Sequence, residues 1–352
     1  MLWSRSIFYH VVFEKRRNFN ANVIKIKEMK KMNHRLLSLD LIKLVAMFSV
    51  ICLHTEMSFY DNPIARFLYM TAVVAIPMFF MTSGYLLYGK KSVDYHYTFR
   101  KIVGILRFVA IVTIAFWLLF GLRHGIPFWV FTFGSLLQKG GLGIFWYFGA
   151  MILLYALLPL LHKLFHENPI YFYSLTAILC LLANAVFIAN FFELHIENDT
   201  IQTFRLWNWV FYFNIGGIIR RYKPKANGLL IVIFLIINYL FQYSLTPLMP
   251  TVYCEYFYSS MPVMLLSISI FIYLLSISEN RLYFINGGGK FFLPVYTFHP
   301  YIIGKTEYLF EQYIYSICTY FAPLYWIIVS ILSIILAWFV IQLPYMNKIF
   351  RI

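Results

Sequence analysis

The sequence predicts an all-α, polytopic integral membrane protein, a helical bundle of about ten transmembrane helices. Of its 352 residues, 61% are hydrophobic and 12% are charged, and the mean hydropathy is +0.72. An average soluble domain is about one quarter charged. Apolar runs of roughly 20 residues, long enough to cross a hydrocarbon core, recur from residue 36 to the C-terminus. They are predicted to be helices, because the alternating ten-residue pattern of an outer-membrane barrel is absent.

Short polar breaks separate the predicted spans. The sixth span contains Arg205 and two tryptophans, and the ninth contains His299, Pro300 and Lys305, so these two are the most open to interruption or to a shift of several residues. In order, the predicted spans are 36–56, 66–88, 101–122, 143–165, 170–192, 203–219, 227–247, 258–277, 290–310 and 322–343.

The distribution of basic residues predicts the orientation. If the N-terminus is cytoplasmic, most of the 29 lysines and arginines fall in inside loops, and the outer loops are acidic instead. This bias predicts that both termini are cytoplasmic. The net charge of +15 is therefore explained by topology, and no nucleic-acid partner is predicted.

Residues 1–35 form a basic extension without a span-length apolar run. No apolar core or small-residue cleavage site follows the charges, so no signal peptide is predicted. One interpretation is a cytoplasmic arm attracted to anionic lipid. The other, which we favour, is that translation starts at Met29 or Met32 rather than at Met1.

The four cysteines lack the spacing of a metal site, and no metal is predicted. Cys52 and Cys180 fall inside predicted spans, where a small buried apolar side chain is the expected role. Cys254 and Cys318 both fall in predicted outer loops, where a disulfide in an oxidising periplasm is an alternative to two free thiols.

The first span, SLDLIKLVAMFSVICLH (38–54), carries three ionisable residues. Lys43 and His54 are eleven positions apart, so on an α-helix they differ by about 20° in azimuth and lie about 16 Å apart along the axis. Asp40 lies one turn before Lys43, close enough to pair with it. Lys43 would lie towards the cytoplasm and His54 towards the outer face. In a purely structural alternative, lysine reaches the headgroups, aspartate caps the helix and histidine rests at the interface.

Three ionisable groups on one helix favour a functional role over this alternative. A histidine is suited to take a proton from a hydroxyl near neutral pH, whereas a lysine suits phosphate or carboxylate. The first span is therefore predicted to carry chemistry.

This span resembles the first helix of the membrane-bound acyltransferase 3 family, in which Asp is followed three positions later by Arg and, after ten further residues, by His. Asp40 and His54 match this pattern, and Lys43 stands where the family has arginine. VAIPMFFMTSGYLLYGKK (74–91) resembles the second helix of the family. Three later stretches follow in the family's order: IFWYFGAMILLYALLPLL (144–161), FYFNIGGIIRR (211–221) and FLPVYTFHPYII (292–303).

The resemblance covers residues 36 to about 345, and it implies an acyltransferase 3 membrane domain over 36–352. Within the family, the pattern is most similar to the enterobacterial common antigen type of O-acetyltransferase. The implied reaction moves an acetyl group from acetyl-CoA, a substrate rather than a tightly bound cofactor, to a sugar hydroxyl. The implied partners are acetyl-CoA, a surface glycan or lipid-linked saccharide such as a lipopolysaccharide precursor, and the lipid bilayer; the oligomeric state stays open.

The resemblance also implies roles for individual residues. His54 would be the catalytic general base, Asp40 would be a second catalytic residue, and Lys43 would contact the donor. Lysine cannot grip phosphate or carboxylate in a bidentate way, so either the donor contact is weaker here or Lys43 only pairs with Asp40. Arg107 and Arg100 are further donor-binding candidates; positive-inside charge is the alternative for Arg100.

Four residues are candidates for the walls of the reaction cavity: Ser83, Tyr85, Trp146 and His299. Ser83 is followed by glycine, a pair that more often allows close helix packing than nucleophilic chemistry. Trp146 could stack on a sugar or belong to an aromatic belt. His299 ends a Tyr-x-x-His element and could equally be a satisfied core histidine beside a proline.

Two rival functions remain open. A polysaccharide exporter or flippase of the same membrane family would also need an internal charged face. An O-antigen polymerase is disfavoured, because such proteins depend on a large outer loop with arginines and the predicted outer loops are short and acidic.

Overall fold

The computed structural model describes residues 37–55, 62–121, 125–192, 194, 196–248, 254–277, 281–282, 285, 288–310, 312–313 and 322–350. The basic extension, with its two proposed start sites, and Cys318 lie outside these residues, so neither the N-terminal reading nor the disulfide is tested. Within the described residues there is no strand, which confirms the all-α prediction.

Twelve helices of nine or more residues occur in this part of the chain. Three of the described helix starts are capped by side chains: Asn62 before α2, Asp94 before α4 and Asn227 before α9. The helices are α1 Leu37–His54, α2 Pro63–Ala72, α3 Ala75–Leu87, α4 Tyr95–Phe116, α5 Phe128–Leu136, α6 Trp146–Glu167, α7 Pro169–Ala189, α8 Leu206–Tyr222, α9 Gly228–Leu245, α10 Met261–Ser276, α11 Phe292–Phe310 and α12 Ala322–Gln342.

All ten predicted spans coincide with helices, and the second is divided into α2 and α3 by a turn at residues 73–74. Among the described residues, seven segments are long and apolar enough to cross a membrane, so the chain is an integral membrane protein. The other three predicted spans correspond to α8, to the shorter apolar helix α10 and to α11. The count of ten crossings and the cytoplasmic termini stay predictions.

Both helices singled out in the sequence, α8 and α11, bury polar groups inside the bundle. On α8, Asn208 and Asn214 are fully buried, and on α11, Thr297 and His299 are fully buried. Their lower hydropathy is therefore explained by polar side chains that face protein rather than lipid.

Helix α1 lies at the centre of the bundle. It packs against α2, α3, α10, α11 and α12. Its apolar residues Ile42, Ala46 and Ile51 are completely buried. The helix that carries the three ionisable residues is thus enclosed by protein along much of its length.

Glycines allow α3 and α8 to pack backbone against backbone. A Cβ atom at Gly84 of α3 would overlap the carbonyl of Phe213, and one at Gly216 of α8 would overlap the carbonyl of Met81. Side chains next to this contact stack, with the rings of Phe80 and Trp209 4.8 Å apart. This explains the glycine after Ser83 as a packing feature, as the sequence predicted.

Replacing Gly84 by alanine should destabilise the protein by about 1–3 kcal/mol, because the added methyl group forces the two backbones apart. The matched control is Gly304→Ala on α11, where an added Cβ meets no atom within 4 Å. Thermal unfolding of the detergent-purified variants measures the difference. Equal melting temperatures for Gly84→Ala and Gly304→Ala would contradict the close contact between α3 and α8.

Candidate functional site

A small cavity lies beside the C-terminal end of α1. Its volume is about 70 Å³, and His54 lies in its wall together with Val50, Leu53, Tyr69, Ile76, Ile144, Trp146, Gln202, Tyr258 and Tyr296. The side chain of His54 is exposed, although the helix that carries it is central. The predicted base therefore has access to a space that could hold a reactant.

A second histidine lies next to His54. The ring centroids of His54 and His299 are 5.2 Å apart, with an angle of 38° between the rings. His299 is completely buried, and within the described part of the chain its Nε2 atom has no hydrogen-bond partner. His299 thus lies on α11 opposite the end of α1 and contacts His54, but it is not among the residues that line the cavity, and its role there stays a prediction.

The orientation of His299 follows from the proline that comes after it. Pro300 has no N–H to donate to the carbonyl of Tyr296, one turn earlier, and the His299 ring lies beside that carbonyl. Nδ1 of His299 is also 3.3 Å from the Val295 carbonyl. If Nδ1 donates this hydrogen bond, the neutral ring presents Nε2 as an acceptor.

Asp40 and Lys43 lie on the same helix, near its other end. Their side chains form an ion pair, with Lys43 Nζ 3.7 Å from Asp40 Oδ1, as their spacing predicted. Asp40 is 1% exposed, whereas Lys43 is 26% exposed, so the aspartate is inside the bundle and the lysine is partly accessible.

Trp146, one of the candidate residues, lies in the cavity wall. Ser83 instead lies beside the hydroxyl of Tyr147, and Tyr147 packs against Tyr296 of the cavity with their ring centroids 6.2 Å apart. Tyr85 lines a different pocket, where the Arg220 guanidinium lies 5.1 Å from its ring. Tyr85 is therefore not brought to His54.

The two arginine candidates lie on α4 and do not line the cavity either. Both Arg100 and Arg107 are exposed. Arg107 borders a separate cleft together with Lys348. A role in donor binding for either arginine stays a prediction.

Three polar cavity residues were not predicted from the sequence: Tyr69, Gln202 and Tyr258. Tyr69 lies on α2, and the other two lie in connections between helices. No local pattern marks them, because their position depends on how distant parts of the chain fold over the end of α1.

Gln202 is held at the cavity by a buried polar network in the connection between α7 and α8. The indole N–H of Trp209 donates to the Gln202 carbonyl at 2.5 Å. Arg205 donates to the carbonyls of Glu197 and Thr200, at 2.6 and 2.9 Å. This network fixes the backbone that places Gln202 over the cavity.

The carboxylate of Glu197 is the centre of that network. It is fully buried, and it accepts hydrogen bonds from Ser259 and from the amide of Asn190. Burial raises the pKa of Glu197 above its ordinary value, although Arg205 and the hydrogen bonds oppose the shift. The folded protein therefore holds a proton on Glu197 more readily than the unfolded chain does.

Neither Cys52 nor Cys180 lines this cavity. Cys52 is buried and Cys180 is partly buried, both as free thiols. In the part of the chain that the structure describes, no group of three or more His, Cys, Asp or Glu residues could hold a metal ion.

A family model described as an acyltransferase domain, that of the acyltransferase 3 family, matches residues 36–342. The match begins just before α1 and ends at the last residue of α12, so it includes both His54 and His299. Neither the curated proteins nor the solved structures give a significant match to the chain.

Because the pKa of Glu197 is raised in the folded state, its contribution to stability is complete below the ordinary glutamate pKa and is lost as the pH rises through the raised value. The melting temperature of the wild type should therefore fall as the pH is raised from about 4.5. Glu197→Gln cannot ionise, so its melting temperature should fall less over the same range. Thermal unfolding in detergent from pH 4.5 to 8 measures both curves, and parallel curves would contradict the assignment.

Proposed function

Since the chain belongs to the acyltransferase 3 family and is therefore a membrane acyltransferase, we propose that it transfers an acetyl group from acetyl-CoA to a sugar hydroxyl. The acceptor is a surface polysaccharide or its lipid-linked precursor, and the membrane is the bacterial inner membrane. The observation that carries this proposal is an accessible histidine, His54, in the wall of a small cavity beside a second buried histidine.

His54 acts as the general base in this proposal. It takes the proton of the sugar hydroxyl as the oxygen attacks the carbonyl carbon of the thioester. The new C–O bond forms, the C–S bond breaks, and the proton held by His54 passes to the leaving thiolate of CoA. The products are the acetyl ester and free CoA, so His54 returns to its neutral state without a cofactor.

The size of the cavity favours a short acyl group. A single water molecule needs roughly 10–15 Å³ of cavity space, so a cavity of about 70 Å³ has room for a few waters or an acetyl group.

The position of Lys43 supports the proposal that the donor arrives from the cytoplasmic side. It is partly exposed and lies on the helix that ends at His54, so one rigid element connects a cation at one end with a base at the other. Asp40 pairs with Lys43 and lowers the net charge of the pair, not that of the ammonium group itself. Lysine can give the donor a single point contact, in place of the bidentate contact that arginine makes.

The aromatic wall of the cavity supports a sugar acceptor. Trp146, Tyr69, Tyr258 and Tyr296 line the cavity beside His54. Aromatic faces stack on the apolar faces of sugars, while hydroxyls and the Gln202 amide can hydrogen-bond to sugar hydroxyls. The similarity to the enterobacterial common antigen type of enzyme stays a prediction, and it is the reason to propose a surface glycan.

His54→Ala should abolish acetylation of the surface glycan and leave the amount of glycan unchanged, because only the base is removed. His96→Ala is the matched control, since His96 is an exposed histidine at the start of α4, away from the cavity. Mass spectrometry of the purified glycan measures the acetyl groups, and an immunoblot or sugar assay measures the amount.

Two outcomes would contradict the proposal. Full acetylation of the surface glycan in His54→Ala would show that His54 is not the base. Loss of surface glycan together with its acetyl groups would indicate transport of the polysaccharide rather than its modification.

A further inference from the structure

A second, larger cleft lies on the outside of the bundle, between α4, α11, α12 and the C-terminal turn. Its apolar part has a volume of about 320 Å³ and includes Ala115, Phe116, Phe298 and Val340 in its walls. Phe116 and Phe298 stack within it, with ring centroids 5.9 Å apart. This groove has the shape and chemistry to hold a hydrocarbon chain.

The groove continues into a polar pocket of about 250 Å³. The two spaces share Ile111 and Ile349 as wall residues. Arg107 and Lys348 both line the polar pocket, and no acidic residue is found in its described lining. Two cations therefore lie at the end of an apolar groove.

The cations are available to a ligand. Within the described residues, Arg107 is exposed and has no hydrogen bond or ion pair. Lys348 is also exposed, and its ammonium group lies 5.7 Å from the ring of Tyr345. Neither charge is neutralised by a described carboxylate, so the pocket attracts anions.

The backbone that brings Lys348 to the pocket is strained. Tyr345 has a positive φ of 67°, a left-handed conformation that is uncommon for a tyrosine. It turns the chain after α12 so that the short helix Met346–Ile349 lies across the cleft, and the buried Phe350 packs against Phe298 with their centroids 6.1 Å apart. Such conformations persist where the surrounding structure maintains them, and they cluster at ligand sites.

We propose that this cleft binds one anionic phospholipid. The lipid phosphate contacts Arg107 and Lys348, and one acyl chain fills the apolar groove. Anionic lipids are attracted to basic residues at the cytoplasmic face, where the predicted topology puts both cations. The site is separate from the cavity at His54 and does not depend on the proposed acetyl transfer.

Coenzyme A is the competing ligand, because it also carries phosphates and Arg107 is a predicted donor contact. Its pantetheine arm, however, contains two amides. Burying amides in an apolar groove without hydrogen-bond partners is unfavourable. The apolar lining therefore favours a lipid chain over pantetheine.

The proposal is tested by lipid binding to the full-length protein purified in a neutral detergent. Native mass spectrometry and thermal unfolding would be followed during titration with dioleoyl phosphatidylglycerol and, separately, with dioleoyl phosphatidylcholine, which has the same chains but no net charge. Phosphatidylglycerol should bind in a one-to-one complex and raise the melting temperature, and phosphatidylcholine should bind much more weakly.

Variants separate the two parts of the site. Arg107→Gln and Lys348→Gln should each weaken phosphatidylglycerol binding about fivefold, whereas Lys225→Gln, an exposed lysine after α8, should not. Ala115→Phe fills the groove and should also weaken binding. Its control is Val232→Phe, at an exposed position of α9.

Three results would overturn the proposal. These are equal binding of the two lipids, unchanged binding in Arg107→Gln and Lys348→Gln, or displacement of phosphatidylglycerol by coenzyme A, which would assign the cleft to the donor. Since the readout is lipid bound rather than acetyl transferred, failure here would leave the role of His54 unaffected.

Discussion

The close contact between α3 and α8 determines how the cavity is built. Because Gly84 and Gly216 carry no Cβ, the two backbones touch, and this brings Phe80 against Trp209. Trp209 in turn packs against Trp146, with ring centroids 5.2 Å apart, and donates its indole N–H to the Gln202 carbonyl. Two walls of the cavity at His54 therefore depend on a contact that only glycine allows.

Polar groups inside the bundle are the second constraint, because a buried polar group without a partner is unfavourable in a membrane. On α8, Asn214 accepts from the Tyr88 hydroxyl at 2.6 Å and donates to Thr176 at 3.0 Å. His299 is an exception, since its Nε2 has no partner within the described residues. This nitrogen belongs to the ring that lies next to His54.

The sequence was sufficient for the helices and for the pair at Asp40 and Lys43, because apolar length and the spacing of charges within one helix are local properties. It also directed attention to His54 and His299, through a resemblance that the family match confirms at the level of the family. It could not place Gln202 or Tyr258, whose positions depend on contacts between distant helices. For the same reason, the sequence could not show which of the candidates Tyr85 and Trp146 lines the cavity. In the structure, Trp146 lines the cavity at His54 and Tyr85 lines a different pocket.

We propose that the donor arrives from the cytoplasmic side, that the acceptor lies near the outer face, and that the two meet at His54. Lys43 and His54 lie on the same helix, α1. The most direct test uses oriented membrane vesicles and radiolabelled acetyl-CoA, which does not cross the bilayer. Inside-out vesicles, which expose the cytoplasmic face, should label the glycan, and they should fail to do so with His54→Ala. Right-side-out vesicles should not label it. Labelling of right-side-out vesicles alone, or labelling that survives His54→Ala, would contradict the account.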